Sequence, residues 1–190
     1  MVKSKFNAKI VAVLGVMTAL LVVGKWSLNS LANIEVVTLL CALFGYTFGF
    51  AALIPSTLFC LEETLARAVH TWVLCYLIHW NLIVVIFAFL GAKKRKDEIL
   101  PPFKAFVDVV LPTIIAVTIT FLFGVNTSFV DAVYACINSS FDRFFTYFGI
   151  IYSRGVILFI VHITCNLVTF STLFYPLGKL IFLLKKRLSL

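Results

Sequence analysis

Charge is what this sequence has least of. Only 13% of its 190 residues are Asp, Glu, Lys or Arg, eight of them acidic, while 62% are apolar. A soluble globule, whose apolar share is about 45–50%, is excluded. No hydrophilic loop exceeds about the length of one helix, so no water-soluble domain remains once the apolar runs are removed. Catalytic motifs are missing as well. There is no G-x-x-x-x-G-K-[ST] phosphate loop, no H-E-x-x-H and no G-x-S-x-G, which removes ATP hydrolysis by that route and gives no case for an enzyme. The five cysteines (41, 60, 75, 136, 165) have no paired spacing and read as small apolar packing residues. The three histidines (70, 79, 162) lack metal-ligand spacing, so neither a metal nor a cofactor is expected.

What is there is apolar chain. Charge-free runs cover 10–24, 36–61, 68–92, 109–130 and 155–178, bracketing the roughly 20 residues that cross a bilayer as helix. Backbone polar groups in lipid must be satisfied internally, so the runs are helices and the chain is an all-α, polytopic membrane protein. A short apolar run behind Lys3, Lys5 and Lys9 also resembles a secretory signal; it is taken as a retained first helix. Twelve of the sixteen Lys/Arg fall in three patches: 3, 5 and 9; 93–96 with 104; and 179 with 185–187. Cationic flanks stay cytoplasmic, which requires an even number of spans on each side of 93–96. Parity is met when 34–67 is split at "GYTFG" (45–49). The expectation is six transmembrane helices, at about 8–24, 34–48, 50–67, 69–91, 103–124 and 154–184. Both termini are cytoplasmic, and an outer segment 125–153 lies along the surface or folds back as a lid.

On this topology the polar side chains converge outside. Asn33 and Glu35 open the second helix, and Glu62, Glu63 and Arg67 end the third. Glu63 and Arg67 have ion-pair spacing, whereas Glu62 points about 100° away. An unpaired charge at membrane depth is costly and marks a functional candidate. Trp72, Tyr76, His79 and Trp80 share one face of the fourth helix. An interfacial aromatic belt explains Trp72, and an aromatic ligand pocket explains the deeper ones better. Arg154 begins the sixth helix, with His162 and Asn166 four apart near its middle, where an interhelical hydrogen bond is the plainer role. Asn126, Asn138, Asp142, Arg143 and Tyr147 fall on the same side. Ala8, Ala12, Gly15 and Ala19 form a small-residue stripe on the first helix, suited either to a partner or to this chain's own helices.

Four stretches carry a resemblance. "NIEVVTLLCALFGYTFG" (33–49), "LEE" (61–63), "WVLCYLIHW" (72–80) and "HITCNLVTFSTLFYP" (162–176) resemble substrate-binding (S) components of energy-coupling factor transporters. The likeness is to a bacterial branch whose members begin the second helix with Asn-Val-Glu. It covers most of 30–185, through loose and mostly apolar motifs. It implies a six-helix subunit of the cell membrane that captures a vitamin or similar micronutrient from outside and has no catalytic activity of its own. Such a subunit docks on a transmembrane coupling protein carrying two cytoplasmic ATPases, and Ala8–Ala12–Gly15 would match the docking surface. Departures are Phe50 and Ala51, where the branch often has lysines, and Phe159, where it often has an acid; "SFDRFFTYFGIIYSR" (140–154) is particular to this chain.

The expected ligand set is therefore Asn33, Glu35, Glu62, Glu63, Trp72, Tyr76, His79, Trp80, Arg154, His162 and Asn166. A second reading is a self-contained proton- or cation-coupled carrier or channel using Glu62, Glu63 and His79; no inverted repeat supports it. A third, a small intramembrane enzyme or assembly scaffold, has no motif behind it.

Overall fold

The computed structural model describes residues 8–68, 70–92, 95 and 103–188. Six α-helices are present among them: α1 (Ala8–Ser27), α2 (Val37–Phe48), α3 (Leu53–Arg67), α4 (Thr71–Leu90), α5 (Leu111–Ile137) and α6 (Phe144–Arg187). A 3-10 turn, Gly49–Ala52, joins α2 to α3. A π turn, Phe106–Val110, leads into α5, and a second 3-10 turn, Phe141–Arg143, precedes α6. No strand occurs among the described residues. Five helical stretches are long and apolar enough to cross a membrane: Ala8–Ser27, Val37–Arg67, Thr71–Leu90, Phe106–Ile137 and Phe141–Arg187.

The second of these stretches is broken where the sequence suggested. Gly49 has φ +68°, a conformation cheap only for glycine, and its N–H donates back to the Gly45 carbonyl. Beyond it the chain reverses: Cys41 Sγ lies 3.9 Å from Ser56 Oγ, fifteen residues away. A continuous helix would hold those two residues about 22 Å apart. Pro55 sits in the first turn of α3, where its missing N–H costs nothing. Cations serve the carbonyls exposed at this turn. Arg95 donates from Nη1 to the Gly45 and Tyr46 carbonyls and from Nη2 to that of Ala88. Lys185 donates to the Thr47 carbonyl. These are cationic caps at a helix C-terminus, where the backbone dipole favours them.

The short helix α2 is the centre of the bundle, with nine of its twelve residues buried. It packs on α4 so closely that a Cβ at Gly45 would lie 2.5 Å from the Val84 carbonyl oxygen. α1 contributes a narrower seam, Leu14, Met17 and Leu21, against α3 and α2. The most extensive helix pair is α5 with α6. The helix ends sort by contact into two groups. One holds the α2–α3 turn, Arg95, the start of α5 and the end of α6, joined by the Arg95 and Lys185 caps and by Phe103 on Tyr175. The other holds residues 25–36, 62–68, 70–80, 123–131 and 151–162, joined by Lys25 to Tyr76, Trp26 to Glu62, Thr71 to Asp131 and Asn33 to Leu158.

The expected outer segment 125–153 is not a separate lid or surface helix. Residues 125–137 complete α5 and 144–153 open α6, so only a short turn lies between them. Neither glycine nor proline interrupts 125–137. Thr127 and Ser128 bond back to the Phe123 and Gly124 carbonyls, which keeps their hydroxyls from competing with the helix. With 27 and 44 residues, these helices are about 40 and 66 Å long, more than a hydrocarbon core of about 30 Å requires. α1 likewise continues to Ser27, beyond the expected end at 24. The basic positions Lys3, Lys5, Lys93, Lys94 and Lys96, and the expected fourth-helix start at Val69, lie outside the described residues.

Candidate functional site

The end of the bundle remote from Arg95 carries three connected groups of side chains. The first is an open cleft of about 460 Å3 between α4, α5, α6 and the α1–α2 loop. One wall is aromatic. Trp72 stands edge-on to Tyr76 with ring centroids 5.1 Å apart, and Tyr76 stacks on Phe123 at 5.8 Å. The spacing of four between Trp72 and Tyr76 puts both on one face of α4. Asp131 from α5, bonded to Thr71 beside Trp72, and Arg154 from α6 also line the cleft. Asn33 closes the rim from the α1–α2 loop: its backbone is left-handed, φ +58°, and its amide donates to the Leu158 carbonyl at 2.9 Å. Asparagine tolerates that conformation better than most residues.

The second group lies beneath the cleft and is buried. His162 Nε2 is 3.1 Å from Glu35 Oε1, and the Thr38 N–H donates to Glu35 Oε2 at 2.9 Å. Both carboxyl oxygens of Glu35 are thus occupied. Asn166, on the same face of α6 as His162, donates from Nδ2 to Thr120 Oγ1 at 2.9 Å. The plainer expectation, an interhelical hydrogen bond, is what Asn166 makes, whereas His162 bonds to Glu35 in the loop ahead of α2. His79 packs its ring 4.5 Å from Phe123 and 6.4 Å from His162. His79 Nε2 and Asn166 Oδ1 are buried and have no hydrogen-bond partner among the described residues. Trp80 is also in this layer, only 2% exposed, packed on Phe59 and donating to Thr38 Oγ1. It faces the core, not the cleft, and supports Tyr76 from below at 4.1 Å.

The third group joins α3 to α1. Glu63, fully buried, accepts from Arg67 Nε at 3.0 Å, as their spacing implied. Arg67 also donates to Asn29 Oδ1 and lies over the Trp26 ring. Glu62 takes a different partner, accepting from Trp26 Nε1 at 3.3 Å. Each glutamate keeps one oxygen, Glu62 Oε2 and Glu63 Oε1, that is buried and unpartnered among the described residues. An unsatisfied buried acceptor costs about 1–3 kcal/mol unless water or another group meets it, so these two atoms are the polar cost of this corner of the fold.

Of the eleven expected ligand residues, Asn33, Trp72, Tyr76 and Arg154 meet at the cleft. Glu35, His79, Trp80, His162 and Asn166 lie in the buried layer, while Glu62 and Glu63 face α1. Two residues that sequence reasoning passed over complete the arrangement. Lys25 donates from Nζ to the Tyr76 hydroxyl at 3.4 Å and lies over the Tyr76 and Trp80 rings, linking the α3 group to the cleft wall. Asp131 accepts a short hydrogen bond from the Thr71 hydroxyl. Both were visible as charges bounding apolar runs, at the end of the first and of the fourth. The other polar residues assigned to this side, Asn138, Asp142 and Arg143, cluster in the α5–α6 turn, away from the cleft lining.

The stripe Ala8, Ala12, Gly15 and Ala19 faces outward, all four exposed. A Cβ on Gly15 would meet nothing within 4 Å. The helix instead packs through Leu14, Met17 and Leu21, so the stripe is not what α1 packs with among the described residues. No family model, no curated protein and no solved structure matches the chain. Among the described residues no His, Cys, Asp and Glu group could hold a metal ion.

Proposed function

We propose that this chain is the substrate-capture subunit of an ATP-driven micronutrient transporter, of the energy-coupling factor type its sequence resembles. The observation that carries the reading is the cleft: an aromatic and polar recess open at one end of an apolar helical bundle. A volume of about 460 Å3 lies within the roughly 300–1,000 Å3 usual for small-molecule sites. Six spans, with the α2–α3 hairpin counted as two short ones, place both termini and the basic end in the cytoplasm. The cleft then opens outside the cell membrane.

An outward stripe of small residues on α1 offers the close helix approach that a membrane partner needs. In this reading the partner is a transmembrane coupling protein bearing two ATPases, and the chain itself performs no catalysis. Purification of the tagged chain from its own cells is expected to bring down one polytopic membrane protein and two ATPases, and uptake is expected to stop when ATP is depleted. Isolation strictly alone, with ATP-independent uptake, would overturn the reading. A self-contained carrier has one observation in its favour, the buried chain of Glu35, His162 and His79, since titratable groups at membrane depth serve proton relays. Uptake into liposomes that contain only this chain would select it.

A further inference from the structure

The cleft has a charge pattern of its own. Asp131 and Arg154 both line it, and neither forms an ion pair with the other or with any other described residue. Asp131 spends one oxygen on the Thr71 hydroxyl and keeps the second unspent. Arg154 makes no hydrogen bond to any described residue. Other polar groups of the lining are already engaged: the Asn33 amide on the Leu158 carbonyl, and the Thr127 and Ser128 hydroxyls on α5 carbonyls. The cleft therefore presents one negative group, one positive group and an aromatic wall of Trp72, Tyr76 and Phe123.

Two opposite charges that share a recess without meeting each other suit a ligand that carries both signs. A ligand with one charge would satisfy one group and leave the other without a partner from the ligand, forgoing one of the two charge-assisted contacts that a ligand of both signs makes. The aromatic wall adds a flat apolar surface for a ring, and the guanidinium is shaped to hold a carboxylate through two parallel hydrogen bonds. We propose that the cleft binds a zwitterionic small molecule with a flat aromatic ring, its cationic group on Asp131 and its anionic group on Arg154. This deepens the capture reading by naming the class of cargo, and it rests on that reading for the cleft being the capture site.

The test uses the purified full-length chain in nanodiscs, with no coupling protein, and three probes sharing one ring: L-tryptophan (zwitterion), tryptamine (cation) and indole-3-propionate (anion). L-tryptophan is expected to raise the unfolding midpoint and to bind at least about tenfold more tightly than either singly charged probe, the value of one charge-assisted hydrogen bond. Asp131→Asn and Arg154→Gln should each lower its affinity by about tenfold or more. Thr71→Ala separates binding from folding: it removes the structural bond to Asp131 and should leave tryptophan affinity within a few-fold. No stabilisation by tryptophan, equal binding of the three probes, or full affinity in both charge variants would overturn the proposal. So would a loss in Thr71→Ala as large as that in Asp131→Asn, since Asp131 would then act only as a strut. Failure to copurify with a coupling protein and ATPases would remove the transporter reading while leaving the binding result in place.

Discussion

The two ends of the bundle use their charges in opposite ways. At the basic end two cations are spent on the backbone: Arg95 serves three carbonyls and Lys185 a fourth. At the other end several charged and polar groups are only half spent. Glu62, Glu63, His79 and Asn166 each keep a buried polar atom without a described partner, and Asp131 and Arg154 face a cleft without pairing. A group that satisfies a helix terminus is part of the fold. One that holds a buried acceptor in reserve burdens the fold, and the proposed binding role would account for its being tolerated.

The contrast can be broken most directly at Glu35, the one acid of the polar end with both oxygens occupied. Glu35→Ala leaves His162 buried without its partner and should cost about 3–5 kcal/mol of stability, read as a lowered unfolding midpoint of the purified chain. Arg95→Ala should cost about 2–3 kcal/mol, on the scale of one hydrogen bond to a charged group, because water reaches part of the turn it caps. Arg95→Lys should recover little of this, since an ammonium lacks the fork that reaches two helices at once. Gly45→Ala tests the packing that holds the basic end together. The added methyl meets the Val84 backbone and should cost about 1–3 kcal/mol through overpacking.

Glu63→Gln sharpens the comparison from the other side. A glutamine keeps an acceptor for Arg67, whose guanidinium is partly exposed and is also held by Asn29, so the change should cost only about 1 kcal/mol, on the scale of one hydrogen bond. A loss as large as that from Glu35→Ala would place Glu63 among the structural groups and erase the distinction. The smallest folding effect belongs to Gly15→Leu, at about 0.5 kcal/mol or less in the isolated chain, since open space surrounds the position. Its expected readout is loss of copurification with the proposed coupling protein. A Gly15→Leu chain that still assembles would free the α1 stripe from a docking role.

Much of the helical framework was legible in the residues. "GYTFG" marked the α2–α3 reversal because Gly49 adopts a positive φ there, and the Glu63–Arg67 pair followed from helical spacing. The α5–α6 region was not legible. Aromatic, polar and charged residues at 125–153 resembled a surface segment, yet nothing in 125–137 breaks a helix, and α5 runs on to Ile137. Site membership was readable only in part. Trp72 and Tyr76 share a helix face, as their spacing required, but Trp80 turns into the core. Asp131 comes to the cleft from a helix expected to have ended before it.

Composition alone determined that this chain is helical and fit for a membrane. Apolar runs of this length must satisfy their backbone hydrogen bonds within themselves, and no partner is needed to know that. Which polar groups are spent and which remain available was decided only by the tertiary structure. Glu35 and Glu62 look alike as isolated acids in an apolar chain. His162 arrives from 127 residues away to occupy one of them, while the other meets a single indole N–H. That difference is set by how the helices are rotated against one another, a property of the packed bundle and of no single segment.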